Sequence, residues 1–208
     1  MMWKIDRKME LKIGELDALL HIIYDKKIKK IKYWCSWGFE GEIFTRVPKD
    51  ITDEELIKYF TSPYFQRWYK GAEEENKGQK EIWDERIKDC KPIEDRTEEE
   101  LRTIIMKYVD EFSPLFTRPK RITIRPIFEV WGRCSKSKDK LTFNPVMKYL
   151  PEEVIEFIVY HEMIHTYCLN HNPPFQRRME EKYPDWREWN KKLKLYWYKI
   201  RRERDIFF

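Results

Sequence analysis

The sequence has few cysteines and no long apolar run. Its 208 residues include four cysteines, which lie far apart and form no Cys-x-x-Cys pair. That spacing excludes a zinc ribbon and gives no sign of a disulfide framework, so we expect reduced thiols and a cytoplasmic protein. The longest apolar stretch, residues 16 to 24, contains an acidic residue, and the first residues lack the apolar core of a signal peptide. We therefore expect neither secretion nor a membrane span.

An excess of charge of one sign is also lacking. Lysine and arginine number 42 against 37 acidic residues, a net charge of +5, which is modest for a chain of this size and does not indicate a dedicated nucleic-acid binder. With 41% hydrophobic and 16% aromatic residues, the chain can bury a sizeable core. No internal repeat is visible. These features predict a single domain over residues 1–208.

The N-terminal part, about residues 1–96, is predicted to be rich in strands and to end in a charged connector. Residues 27 to 47 are rich in aromatic and β-branched residues and predict a strand or hairpin. Thr52, followed by three acidic residues, predicts a capped helix that runs to about Phe60. Helical structure could resume over residues 64 to 70. Residues 71 to 96 carry many charges and predict a solvated helix or connector.

The C-terminal part, about residues 97–208, alternates helix and strand patterns. Thr97 and the acidic residues after it predict the start of a helix that runs to Ser113, and residues 121–125 and 141–144 predict two strands that pair. Pro151 predicts the start of a helix that continues to Asn170. A last helix should begin after Asp185 and end in a basic tail. The fold class expected is α+β, with a small mixed or antiparallel sheet packed on helices.

Three of the four histidines lie within eleven residues of one another, in a pattern that indicates a metal site. His161 and His165 are four apart, so on a helix both rings can reach one ion, and Glu162 borders the same face. Packed or surface histidines are the ordinary alternative, but the clustering and the predicted helix favour a metal. Zinc, one ion per chain, would lower the pKa of a bound water to ~7, and Glu162 could deprotonate that water to attack a peptide bond.

A catalytic zinc also needs a third protein ligand. His171 lies about 280° around an ideal helix from His161, so it can coordinate only if the helix stops first. Asn170 and the two prolines at 173 and 174 predict such a stop. The alternatives are Cys168, on the same helical face as the first two ligands, and a downstream carboxylate of Glu180, Glu181 or Glu188. His171 is the simplest choice, and Cys168 more simply packs as a small apolar residue.

Several segments together resemble the YgjP-like metallopeptidases, a family of metal-dependent hydrolases. Residues 131–135 (WGRCS) resemble the family's WGSCS segment, and the helix that starts at Pro151 resembles its proline-led helix ending in HELAH. Residues 170–175 (NHNPPF) resemble its NHSPRF segment. Residues 183–185 resemble its PDY segment, and residues 45–48 resemble its VRVP segment. The resemblance runs from about residue 40 to 195 and implies a zincin-like HExxH helix. It also implies that His161, His165 and His171 bind the metal and that Glu162 is the catalytic base. Arg133 departs from the family's usual serine, and the family leaves the substrate open.

The function expected is zinc-dependent hydrolysis of a peptide or protein. Arg133 could stabilise an oxyanion, or the segment around it could simply be a packed turn. Residues 121 to 128 or 141 to 144 could receive an extended substrate as an added strand. Asp185 could support a ligand histidine, although helix capping is the simpler role.

Two alternatives to peptide hydrolysis stay open. The same metal centre could act on a nucleoside triphosphate. The aromatic and basic residues of 186–204 could instead bind nucleic acid beside a structural zinc, although the modest net charge favours an amphipathic helix packed on the body.

Overall fold

The computed structural model describes residues 3–35, 39–127, 130–204 and 206–207, and their backbone forms an α+β fold of small mixed sheets and seven α-helices. The chain divides into two compact units, Lys4–Asp89 and Cys90–Phe208, the second joined by Met1–Trp3. Two short strands, β1 (Trp3–Lys4) and β9 (Ile206–Phe207), pair with each other. Of the helices in the described ranges, none combines the length and apolar character that a bilayer crossing requires.

The unit Lys4–Asp89 is built on a four-stranded sheet. Its strands are β2 (Arg7–Ile13), β3 (Leu16–Tyr24), β4 (Lys32–Trp34) and β5 (Glu42–Val47), in the order β2-β3-β5-β4. β3 pairs antiparallel with β2 and parallel with β5, and β4 is antiparallel to β5. The strands predicted within residues 27–47 are therefore confirmed as β4 and β5, and residues 36–38 between them lie outside the described part. The β2–β3 hairpin, in contrast, was not predicted, although residues 8–13 of β2 alternate between polar and apolar side chains. β3 shows no such alternation, because it is buried on both faces over much of its length.

Three helices follow in this unit: α1 (Asp53–Phe60), α2 (Pro63–Asn76) and α3 (Gln79–Arg86). The predicted cap is confirmed, because the Thr52 side chain accepts from the Glu55 N–H and the Glu55 carboxylate accepts from the Thr52 N–H. The predicted connector over residues 71–96 is largely helical. The core of the unit lies between the sheet and these helices, where Phe60, Phe65 and Tyr69 are fully buried.

The unit Cys90–Phe208 contains α4 (Glu98–Phe112), β6 (Arg121–Ile124), β7 (Gly132–Cys134), β8 (Lys140–Phe143), α5 (Glu152–Ile164), α6 (Pro173–Lys182) and α7 (Trp186–Arg204). The predicted start of α4 at Thr97 and of α7 after Asp185 are confirmed. The predicted pairing of residues 121–125 with 141–144 is also confirmed, as parallel strands β6 and β8. The strand β7 was not predicted. It pairs antiparallel with β8 and makes β8 the central strand of the sheet.

Two boundaries around the histidine segment differ from the prediction. Pro151 is the N-cap of α5, with helical residues starting at Glu152, and α5 ends at Ile164 with His165 as its C-cap, not at Asn170. Asn170 does not adopt a left-handed conformation, since Lys138 is the one non-glycine residue with positive φ in the described backbone. Pro173 and Pro174 begin α6 as well as preventing continuation of α5, because proline suits the first turn of a helix. α5 itself is almost wholly buried, packed against α4, α6 and α7.

Candidate active site

Three histidine rings meet where α5 ends. His161 lies in the last turn of α5, and His165 directly follows the helix. Because α5 stops at Ile164, the chain turns through residues 165–167 and returns, which brings His171 back to the other two. One ligand nitrogen from each ring lies within 4.8 Å of the others, and within the described residues no other group of His, Cys, Asp and Glu side chains converges in this way.

The spacing of the ring nitrogens suits a single metal ion. Nε2 of His161 lies 3.3 Å from Nε2 of His165 and 3.1 Å from Nε2 of His171. Tetrahedral ligands 2.0–2.1 Å from zinc would be about 3.3 Å apart, so the geometry fits this coordination. Nδ1 of His165 lies 3.0 Å from the carbonyl oxygen of Cys168, which can only accept. Nδ1 of a neutral His165 ring therefore carries the proton, and its Nε2 lone pair is free for a metal.

The three rings are held in the neutral form that a metal requires. Burial, together with charge repulsion from the neighbouring His165 and His171, lowers the pKa of His161 to about 3. Burial also lowers the pKa values of His165 and His171. Since a protonated imidazole cannot coordinate, this environment favours metal binding over protonation near neutral pH. His171 is the exposed member of the three, so the site opens to solvent on its side.

Phe175 packs against the rings of all three histidines. It lies in the first turn of α6 and is fully buried. Its ring centroid is 4.9 Å from those of His161 and His165 and 4.5 Å from that of His171. Spacing arguments about ligands could not identify this role, because Phe175 has no ligand atom. Its signal was its place in the segment 170–175 that carried the family resemblance.

Glu162 is buried beside the triad, with 6% of its surface exposed. Burial raises its pKa to about 8, against the opposing effects of a hydrogen bond from the Cys134 backbone N–H and of the Arg133 charge. Both of these residues belong to β7, which packs against α5. Glu162 thus lies between the end of the helix and the edge of the sheet.

The Glu162 side chain packs directly against Gly132. A Cβ atom at position 132 would meet Cγ of Glu162 at 2.6 Å and its Cδ and Oε1 at 2.9 Å, which is closer than real Cβ contacts. The φ of Gly132 is not in the left-handed region, so space and not backbone conformation requires glycine here. The sequence contained this residue within the WGRCS segment but gave no reason for it.

β7 also presents a free edge to the site. The backbone bonds between Trp131 and Asn144 and between Ser135 and Lys140 direct the odd-numbered residues of this strand toward β8. The backbone groups of Gly132 and Cys134 therefore point away from β8, toward Glu162. Of the segments predicted to receive a substrate strand, 141–144 forms the central strand β8 and has no free edge. The other, 121–128, contains the edge strand β6, which ends at Ile124, and its residue 128 lies outside the described part.

The rival ligands lie elsewhere or have other partners. The Cys168 carbonyl accepts from His165, while its side chain packs on the core and burial raises the pKa of its thiol. Three carboxylates proposed as alternative ligands form ion pairs on the helix surface, Glu180 with Arg187, Glu181 with Arg178 and Glu188 with Lys191. None of these four groups joins the histidine cluster within the described residues.

The aromatic residues of α7 face the protein. Trp197 lies 3.9 Å, centroid to centroid, from Trp131, and Trp189 stacks on Phe157 at 5.3 Å. Tyr196 and Tyr198 are buried. These rings are therefore not available as a platform for stacking bases, and the packed amphipathic helix describes α7 better.

A cleft of about 390 Å³ opens onto the three clustered histidines and Glu162. The residues of β7, the C-terminal half of α5 and the first half of α7 line it. Its volume falls in the range typical of ligand sites, roughly 300–1,000 Å³. The site is thus both accessible and large enough for part of a substrate chain.

The chain is similar to known proteins over most of its length. The family model described as "YgjP-like, metallopeptidase domain" matches residues 41–196. Among solved structures, the chain is similar to the metallopeptidase zymogen abylysin of Pyrococcus abyssi, with 23% identity, a TM-score of 0.40, and coverage of 43% of this chain and 90% of that chain. It is also similar to the zymogen jannalysin of Methanocaldococcus jannaschii, with 22% identity, a TM-score of 0.39, and coverage of 43% and 92%. No curated protein sequence matches it. On the family match over residues 41–196, the chain belongs to the YgjP-like metallopeptidase family.

Proposed function

We propose that the protein is a zinc-dependent peptidase in which His161, His165 and His171 bind one zinc ion and Glu162 is the general base. The observation that carries the proposal is the convergence of three neutral imidazoles beside a buried carboxyl group at the end of an open cleft. A structural zinc would need a fourth protein ligand, and within the described residues none joins the three histidines. The arrangement therefore supports an open, catalytic site with a zincin-like HExxH helix.

The residues of the chain divide the work of hydrolysis among them. The bound metal would supply Lewis acidity toward the substrate carbonyl and acidify the attacking water. Glu162 takes the proton of that water and passes it to the leaving amine, which is the role of a general base and then a general acid. The cation of a bound metal would also lower the pKa of Glu162 from about 8, so that the carboxylate form is available at neutral pH.

The substrate we propose is an extended peptide or protein segment added along the outer edge of β7. The outward N–H and C=O of Gly132 and the C=O of Cys134 can form main-chain hydrogen bonds there, while the Cys134 N–H holds Glu162 at the same edge. Arg133 is exposed and lines the cleft, where its guanidinium can stabilise an oxyanion formed at the carbonyl.

The two alternative functions have less support. Binding of a triphosphate calls for several cations, yet Arg133 is the single basic side chain among the described residues that line the cleft. Nucleic-acid binding by α7 would need exposed aromatic rings on which bases can stack, whereas the aromatic rings of α7 pack against the protein. The four cysteines form no disulfide within the described part of the chain, which supports the proposal of a reducing, cytoplasmic location.

The test is metal content and peptide cleavage measured together. We expect elemental analysis of the purified protein to give one zinc per chain, and His165→Ala to lose it. His21→Ala is the matched control, because His21 is the one histidine outside the triad. Glu162→Gln should keep zinc but lose at least a thousandfold in cleavage of a casein or peptide-library substrate. Zinc that is absent, or retained by His165→Ala, would contradict the proposed ligands. Release of pyrophosphate from nucleotides without peptide cleavage would contradict the proposed substrate.

A further inference from the structure

One end of the cleft extends away from the metal-ligand histidines along α5. Phe157 and Ile158 line it, four and three residues before His161. That separation is one helical turn, so this end begins about 5.4 Å along the helix from the first ligand. Leu193 and Asn190, three residues apart on one face of α7, form the opposite wall. A substrate side chain next to the cleaved bond would be long enough to extend from the metal site into this end of the cleft.

The walls of this end are apolar and held rigidly. Glu162 and Arg133 are the two charged side chains that line the described cleft. Glu162 follows His161 directly and its side chain contacts Gly132, the neighbour of Arg133, so both charges lie on the metal side. Phe157 stacks on Trp189 with an interplanar angle of 14°. A charged substrate side chain placed here would lose its hydration without gaining an oppositely charged partner, while an apolar one would lose nothing. The preformed walls also keep the ordering cost of binding low.

Asn190 is the polar group of this end. Its side chain is half-buried and lines the cleft, and no hydrogen-bond partner occurs for its amide among the residues that the structure describes. A carboxamide offers both a donor and an acceptor, which is the complement of a peptide group. Placed one helical turn from Leu193, it can pair with the peptide group that adjoins an apolar side chain seated against that leucine.

We propose that the space between Phe157, Ile158 and Leu193 binds an apolar side chain next to the cleaved bond, and that Asn190 pairs with the adjoining peptide group. The proposal rests on the proposed peptidase function and names the class of residue that this site prefers. The site prefers leucine-like and phenylalanine-like side chains over charged ones.

The test uses hydroxamic acids, which bind a catalytic zinc without being cleaved. Acetohydroxamic acid has no side chain, isocaprohydroxamic acid adds a branched alkyl chain, and isobutylsuccinyl hydroxamate N-methylamide adds a peptide group. Calorimetric titration of the zinc-loaded full chain should show isocaprohydroxamic acid binding at least tenfold more tightly than acetohydroxamic acid. Leu193→Ala should lower this ratio at least threefold. Asn190→Ala should leave the ratio unchanged and weaken the N-methylamide probe about tenfold.

Leu195→Ala is the matched control, since Leu195 lies on the same helix and does not line the cleft. It should leave all three affinities within twofold of those of the wild type. Asn190→Ala removes an unpartnered group and so provides a test even if Leu193→Ala folds poorly. A ratio near one in the wild type, or a ratio that Leu193→Ala leaves unchanged, overturns the apolar subsite alone. Failure of acetohydroxamic acid itself to bind overturns the proposed metal centre, and the subsite with it.

Discussion

Replacement of Gly132 by alanine tests how the protein holds its proposed base. The new Cβ would lie 2.6 Å from Cγ of Glu162, whereas ordinary contacts begin at 3.4 Å, so about 0.8 Å must be gained by movement. Glu162 has little room to move, because 94% of its surface is covered and the Cys134 N–H binds its carboxylate. The strain must therefore shift the carboxylate, the strand β7 or both.

These contacts set the expected size of the effect of Gly132→Ala on stability and on catalytic rate. Inserting one methyl group into a well-packed site typically costs about 1–3 kcal/mol of stability. A displacement near 1 Å of a catalytic group typically costs about 10²-fold in rate. The proposed zinc ligands are on α5 and the loop after it, not on β7, so we expect metal content to stay at the wild-type value. Gly132→Ala should thus separate metal binding from catalysis.

The assay is a double-mutant cycle of unfolding free energies in the presence of EDTA. Gly132→Ala is measured in the wild type and in Glu162→Ala, which removes the Cγ, Cδ and Oε1 atoms that clash. We expect the cost of about 1–3 kcal/mol in the wild type to fall below about 0.5 kcal/mol in the second background. Gly71→Ala is the matched control, because a Cβ there meets nothing within 4 Å.

The refuting result is an equal cost of Gly132→Ala in both backgrounds. It would mean that the methyl group disturbs β7 by itself and that Gly132 does not position Glu162. Unchanged peptide cleavage by Gly132→Ala would contradict the same reasoning at the level of rate.

Three further predictions concern the supports of the site. Phe175→Ala should cost about 3–5 kcal/mol of stability and about 10–100-fold in zinc affinity by chelator competition, whereas Phe116→Ala, in the same core, should spare the affinity. The folded pKa of Glu162, about 8, exceeds its ordinary value of 4.5, so its ionisation opposes folding in the metal-free protein. The stability advantage of Glu162→Gln should therefore grow as pH rises from 4.5 to 8, by up to about 5 kcal/mol in denaturant titrations. A pH-independent difference would contradict a buried carboxyl group. Thr97→Ala should cost about 1 kcal/mol in the same titrations, because the capping box of α4 is lost.

Local signals in the sequence predicted α1, α4 and α7 well. Their starts depend on side chains within three residues of the first turn, as at Thr52 and Thr97, and this information is contained in the sequence itself. β3 and β7 were missed for opposite reasons. β3 is buried over much of both faces and so shows no alternation, while β7 has only three residues, too few to show any period.

The end of α5 shows where local signals are insufficient. Asn170 and the prolines predicted a stop, but the helix ends six residues earlier, at Ile164. Residues 165–169 retain helix-compatible types, so their turn is stabilised by contacts from elsewhere in the fold. Lys138, in the β7–β8 turn, donates to the Tyr167 carbonyl. This contact joins residues 29 positions apart and leaves no local pattern in the sequence.

The sequence by itself determined the chemistry available to this protein: three histidines and a glutamate at spacings that a helix and its end can bring together. The tertiary structure decided which environment these groups have. Burial against β7 raises the pKa of Glu162, Gly132 makes room for its side chain, Phe175 supports the three rings, and α7 closes one side of the cleft. The physical reason is that spacing along a helix is set by bonds between neighbours, whereas solvation and packing depend on residues brought together from distant parts of the chain.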